Sequence, residues 1–326
     1  MRHVRPERLK RLTPGLGRSL RLAATSLLLA GALAAPATVA GDRNVSLSID
    51  VDDDERVERC DQVRVQFGRA GRPMARSERS FRFDRSEAPT LEMHLDGSGG
   101  MTISGWDQSD YAVTACLVAG GKDDERAARD LGRIEVGFDH GRLSMSGPED
   151  ADWLVYYIVR VPDGANLDLR AQNEPIDLRD VSGRVRARTQ NGPVSLQRCV
   201  GDIEVEAQNG PVSVQAGGGR QRLSVTNGPL SLALEGRRWE GEGIDVDVEN
   251  GPVSLRIPER YQSGVSLEMS GHAPLSCRAG CGGDWGGPGE ARRLLFGGST
   301  PVIRISSGNG PVDIDSGSPA RHSRSI

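Results

Sequence analysis

Gln190-Asn191-Gly192-Pro193-Val194-Ser195-Leu196 is a stretch that comes back, and residues 166–316 are organised around its return. Versions stand at Asn173-Glu174-Pro175-Ile176-Asp177-Leu178, Asn209-Gly210-Pro211-Val212-Ser213-Val214 and Asn227-Gly228-Pro229-Leu230-Ser231-Leu232. Others follow at Asn250-Gly251-Pro252-Val253-Ser254-Leu255, His272-Ala273-Pro274-Leu275-Ser276 and Asn309-Gly310-Pro311-Val312-Asp313-Ile314. Counted on the Asn column, the steps are 18, 18, 18, 23, 22 and 37 residues. A short period with local drift marks a stacked repeat.

One unit explains why it must stack. In Pro193 to Gly210, Val194-Ser195-Leu196 alternates apolar and polar, Cys199-Val200-Gly201-Asp202 turns, Ile203-Glu204-Val205-Glu206-Ala207 alternates again, and Asn209-Gly210 turns back. Alternation of period two is the half-buried strand pattern. Asn-Gly tolerates positive φ, and Pro, lacking an N–H, suits the first residue of a strand. About five buried apolar side chains, worth about 1.5–3 kcal/mol each, do not cover the roughly 1–2 kcal/mol per residue lost in ordering the backbone. A neighbouring coil must supply the remainder. The expected fold is all-β: a parallel, single-stranded β-helix-like solenoid of ~18-residue coils with strands about 4.8 Å apart, preceded by a more irregular β region. A string of antiparallel hairpins is the rival, but it does not explain one side chain recurring per repeat. The outward column reads Asp177, Ser195, Ser213, Ser231, Ser254, Ser276, Asp313, so the sequence places its two Asp at the ends of the stack, where like charges never adjoin. The Asn column reads as an amide ladder.

The rest of the chain frames this block. Residues 1–40 read as a secretory signal peptide: seven basic residues, then an apolar run from Leu22 to Ala35 and small residues after it. That run is short for a membrane span. Without those seven basic residues and Glu7, 34 basic face 44 acidic residues, a net charge of −10. This argues against a nucleic-acid or anionic-membrane binder. Residues 41–95 form a leading β segment with loops, residues 96–165 degenerate β coils, and residues 317–326 a disordered tail. Val155 to Pro162 is the most apolar strand and the expected lead-in to the stack. The acidic turn Asp52-Asp53-Asp54-Glu55 lacks the Gly and distal Glu of a calcium loop and reads as solvated. Asp123 to Arg129 is a loop or one helical turn.

The run Met101-Thr102-Ile103-Ser104-Gly105-Trp106-Asp107, then Tyr157 to Ala165, then the Asn-Gly-Pro units, resembles the bacterial family of proposed adhesins with DUF4097-type β-strand repeats. The resemblance covers roughly residues 80–316, and its motifs are repeats rather than site signatures. It implies a β-solenoid at the cell envelope, exported to the periplasm or cell surface, with adhesion as the role and no catalytic residues to carry over. The Gly-rich insertion at 279–299 and the leading segment 41–79 depart from the plain pattern.

Function, if it lies in the repeats, is expected where they lengthen: Glu235–Gly243, Pro258–Gly264 and Arg278–Thr300. Between residues 166 and 318 the aromatics are Trp239, Tyr261, Trp285 and Phe296, all inside those insertions. They form a candidate partner-binding edge for an envelope glycan or envelope protein, since insertions on one face of a repeat protein often bind. The competing reading folds the rings back over the core. The five cysteines permit disulfides after export, with one left over. Cys277-x-x-x-Cys281 could close the Gly-rich insertion, and Cys60–Cys116 is a further pairing. No zinc set of four ligands forms, so no metal and no cofactor are expected. The chain carries no His-Glu-x-x-His, Gly-x-Ser-x-Gly or phosphate loop. Asp245, Asp247 and Glu249 share one strand face. They could act as the paired carboxylates of a polysaccharide-cleaving β-helix, or be solvated like Glu204 and Glu206. The expectation is a non-enzymatic, adhesin-like binding or scaffold protein. A regulatory binding protein in an envelope-stress pathway is the second class, separated by protease accessibility on intact cells.

Overall fold

The computed structural model describes residues 45–49, 57–95, 99–270, 273–278, 282–284, 292–298 and 301–317. They belong to one compact unit, Pro36–Ile326. The expected signal peptide, the acidic turn at Asp52–Glu55, His272, Cys281, Trp285 and the tail after residue 317 lie outside the described residues.

The fold is all-β. Among the described residues one sheet of 21 strands wraps almost fully around the main apolar interior, and a separate two-stranded hairpin lies against it over a second, smaller cluster. Two parallel ladders build the regular part. In the first, Ile176–Arg179, Val194–Asn209, Val212–Asn227, Leu230–Ala233 and Val253–Ile257 pair in sequence order, with Ser195 opposite Ser213, then Ser231, then Ser254. We call this the hydroxyl ladder. In the second, the charged ladder, Leu91–Leu95, Ala165–Ala171, Ser182–Thr189, the latter halves of Val194–Asn209 and Val212–Asn227, and Glu240–Asn250 pair likewise. Inward residues stack as apolar columns, such as Ile176, Val194, Val212, Leu230 and Val253, each almost fully buried. Among the described residues three polar ones interrupt them, Thr189, Gln221 and Ser307. Gln221 sits between Ile203 and Ile244, where its amide donates to the carbonyls of Cys199 (3.0 Å) and Gly218 (3.2 Å) beside a bulge.

The Asn column is an amide ladder: each side-chain N–H donates to the previous Asn oxygen, at 2.8 Å for Asn191 to Asn173 and 3.1 Å for Asn209 to Asn191. Of the glycines beside it, Gly251 and Gly310 have the positive φ expected of the turn, and the others have a different cause. Gly192, Gly210 and Gly228 do not need positive φ. A Cβ on Gly210 would stand 2.5 Å from the carbonyl oxygen of Gly192, and one on Gly228 2.2 Å from that of Gly210. Only glycine lets the turn backbones lie this close.

Among the Asn-Gly-Pro units, stack order departs from sequence order at one place. Pro301–Asn309 pairs directly with Glu240–Asn250, and Val312–Ser316 with Val253–Ile257. The intervening unit, Gly264–Met269 and Leu275–Cys277, lies on the far side of those same strands. The long insertion permits this, because Arg292–Phe296 runs back antiparallel to Gly264–Met269 and returns the chain to the inner position.

The Asp residues therefore do not end the stack. Asp177 lies between Thr102 and Ser195, because Gly99–Gly105 adds a strand outside it, and Asp313 lies between Ser254 and Ser276. The rule behind the expectation survives, since each carboxylate has neutral neighbours. Asp152–Val161 is not the immediate lead-in either: it pairs with Gly99–Gly105, then antiparallel with Asp110–Gly120, which pairs with Met74–Asp84. The hairpin of Val45–Ile49 and Val63–Phe67 accompanies a second small cluster in which Val63, Val65 and Phe67 meet Val118, Tyr156 and Ile158. The disulfide Cys60–Cys116 ties this segment to the sheet. Asp124–Leu131 is a helix capped by Asp123, whose carboxylate accepts the Arg126 N–H at 2.7 Å.

Candidate functional site

The described aromatics of the insertions, Trp239, Tyr261 and Phe296, turn inward. Trp239 and Tyr261 are 6% and 8% exposed and join the main core. The indole N–H of Trp239 donates to the Gly219 carbonyl at 3.0 Å, and its ring fills space beside Gly217, where a Cβ would stand 2.9 Å from it. Burial pushes the Tyr261 phenol up to about 12, with a hydrogen bond to Ser263 opposing. Phe296 is half-buried and packs against the same core. Trp239 and Tyr261 thus present no exposed contact edge.

The carboxylates considered for glycan cleavage belong to a charged surface. Asp245 is ion-paired with Arg304, with one contact at 3.1 Å. Asp247 and Glu249 are exposed. Asp245 sits in a column that alternates in sign from coil to coil: Asp168, Arg186, Glu204, Arg222, Asp245, Arg304. Beside it runs Arg184, Asp202, Arg220, with Glu242 next. Within the chain Arg186 meets Glu204 at 2.9 Å, Arg188 meets Glu206 at 2.9 Å, and Arg220 meets Asp202 at 3.1 Å. The Arg220 guanidinium holds Asp202 below the usual carboxylate range.

The hydroxyl ladder presents a different outward face. Pro193, Ser195 and Gln197 alternate outward along one strand, and Pro211, Ser213, Gln215, then Pro229, Ser231, Ala233, then Pro252 and Ser254 repeat them in register. No charged residue stands in these positions. Charge returns at Arg256, Asp313 and Asp315, and Glu235 borders the field, accepting from Gln215 at 2.9 Å. At the other end Asp177 is largely buried. Burial holds its carboxyl above the usual range, with Arg179 and a hydrogen bond to Ser195 opposing.

Other candidates are structural. Cys199 is buried, and burial pushes its thiol up to about 11, far from a reactive thiolate. Cys277 is disulfide-bonded. Among the described residues, no group of three or more His, Cys, Asp or Glu is placed to hold a metal ion, and no helix is long and apolar enough to cross a membrane. A shallow groove of about 460 Å³ lies between the edge strands Met74–Asp84 and Glu135–Asp139, lined by Arg79, Ile134, Val136 and Met145. Arg79 reaches across it to the Ile134 carbonyl at 3.4 Å.

No family model and no curated protein matches this chain. Among solved structures it is similar to a proposed cell adhesion protein from Clostridium sporogenes, at 10% identity over 74% of this chain and 100% of that one, with a TM-score of 0.31. A proposed adhesin from Parabacteroides merdae gives 10% identity, 76% and 97% coverage and a TM-score of 0.35. A proposed lipid-binding protein from Parabacteroides distasonis gives 9%, 76%, 98% and 0.24. At such scores the likeness carries no argument about function.

Proposed function

We propose that the chain is an exported, non-enzymatic parallel β-solenoid that binds a neutral envelope glycan along its hydroxyl face, in an adhesin-like or scaffold role. Two ladders that step from coil to coil in parallel register support the solenoid reading. The Cys60–Cys116 disulfide supports export, because such bonds persist in oxidising compartments.

One observation carries the binding surface. In a chain that is 26% charged, three successive coils present only Pro, Ser, Gln and Ala along one outward face, and Pro252 and Ser254 continue it. Serine hydroxyls and glutamine amides both donate and accept hydrogen bonds, which matches the hydroxyls of a sugar chain. Fixed on a rigid ladder, they lose little freedom on contact.

The test is retention on insoluble envelope polysaccharide. The double variant Ser213→Arg/Ser231→Glu sets two side chains of opposite charge, on adjacent strands, into the neutral field while leaving the core untouched. Retention should fall at least tenfold with the melting temperature unchanged. Equal retention of variant and wild type, or release of reducing ends by the wild type, defeats the reading.

A further inference from the structure

We infer that the charged ladder is a docking face for a second copy of this chain, joined by a two-fold axis that runs along the strand direction between the Glu204 and Arg222 coils. The argument is one of sign. From Asp168 to Arg304 the column Asp168, Arg186, Glu204, Arg222, Asp245, Arg304 alternates strictly over six members; Glu92 adjoins Asp168 and Ser266 adjoins Arg304, and the same axis sets these two against each other. Turned end for end and laid on itself, it sets Asp168 against Arg304, Arg186 against Asp245 and Glu204 against Arg222. A two-fold contact repeats each pairing in both directions.

The neighbouring columns obey the same axis. Asp202 falls against Arg220, and Arg184 against Glu242, which lies next to Arg220's partner strand position. In the third column Arg188 falls against Asp247, while Arg170 and Glu206 face Ser306 and Ser224. No like charges meet. Pairing within one chain does not require this arrangement, because Arg222 and Asp247 are exposed and take part in no ion pair among the described residues. Asp247, flanked in its own ladder by Ser224 and Ser306, gains a directly opposed charge only from the second copy, and Arg222 gains one beyond its ladder neighbours Glu204 and Asp245.

Size sets the character of the contact. Six strands at about 4.8 Å and five residues at about 3.3 Å give roughly 500 Å² per copy, and roughly 1,000 Å² in all is the lower limit of a specific interface. The side chains are about half exposed, 51% for Arg186 and 41% for Glu204, so salt should screen their attraction. The dimer is therefore expected to be weak and salt-sensitive.

Sedimentation velocity across a concentration series tests this with the full chain lacking only residues 1–40. The wild type should be dimeric at low salt and shift to monomer at high salt. Arg222→Glu opposes Glu204 with Glu, and Glu204→Arg opposes Arg222 with Arg, so each variant alone should be monomeric at low salt. Mixed together, the two variants should recover a heterodimer, because each contact again joins Arg and Glu. Recovery also shows that both variants are folded. A wild type monomeric at all salts, variants that dimerise alone, or a mixture that stays monomeric would each overturn the inference.

Discussion

The side-chain amide of Asn309 donates to that of Asn250 at 3.1 Å across 59 residues of chain. The repeat between them in sequence is not between them in space. Its strand Leu275–Cys277 instead pairs with the far edge of Val312–Ser316. The direct test is a cysteine pair. Ser254 and Asp313 are register partners on adjacent strands, whereas Ser254 and Ser276 are two strands apart. A short thiol cross-linker should join Ser254→Cys with Asp313→Cys in high yield and leave Ser254→Cys with Ser276→Cys unjoined. Peptide mapping after digestion reads the result, and the reverse pattern restores sequence order.

Close backbone stacking makes a second prediction. Gly210→Ala forces a methyl group against the Gly192 carbonyl oxygen, 2.5 Å from the ideal position. Both neighbours are backbone held by ladders on either side, so the coil must part. Overpacking of this kind costs about 1–3 kcal/mol. Ser213→Ala, three residues away on the outward face, should stay within about 0.5 kcal/mol. Urea unfolding of the two variants reads the contrast, and equal stabilities would mean the turns are not closely stacked.

What the sequence makes legible is whatever a neighbour repeats. A stacked column sets the same contact at constant spacing, so the Asn ladder and the Ser column can be read before any coordinates. Order is harder. The His272 and Asn309 units both carry the apolar-polar-apolar pattern, and either could bond to the Asn250 coil. The choice is made by Arg292–Phe296, whose antiparallel return has no repeat signature. The ends are hidden for the same reason: Gly99–Gly105 continues the hydroxyl ladder beyond Asp177 without an Asn-Gly-Pro turn. The direction of Trp239 depends on a gap in another coil, the glycines from Gly217 to Gly219. The alternation of charge is present in the letters, but only when residues are compared one coil apart instead of along a strand.

Trp239 supplies a third prediction, because its burial and its proposed contact role lead to opposite results. Trp239→Ala removes a ring that is 6% exposed and leaves the Gly219 carbonyl without its donor. Large-to-small changes of this size cost about 3–5 kcal/mol. Retention on glycan per folded molecule should be unchanged, as the ring lies inside. Lost retention with an unshifted unfolding midpoint would return Trp239 to the binding surface.

Asp177 supplies the last prediction through pH. Burial holds its carboxyl above the usual range, against the pull of Arg179 and Ser195. The folded state therefore keeps the proton more tightly than the unfolded chain does. The contribution of this group to stability is greatest below the unfolded value of about 3.9 and declines as pH rises through the folded value. Asp202 and Asp315 have the opposite sign. Arg220 and Arg278 hold them low, so their contribution is present above the unfolded value and fades as pH falls through the folded one. Both are partly exposed and screened, which keeps their effect small. Asp177→Asn removes one titration and leaves the other two. The melting temperature of the variant minus that of the wild type should become more positive between about pH 4 and about pH 7. A difference that stays flat across that window, or moves the other way, means the Asp177 carboxyl is as well solvated in the folded protein as in the unfolded chain.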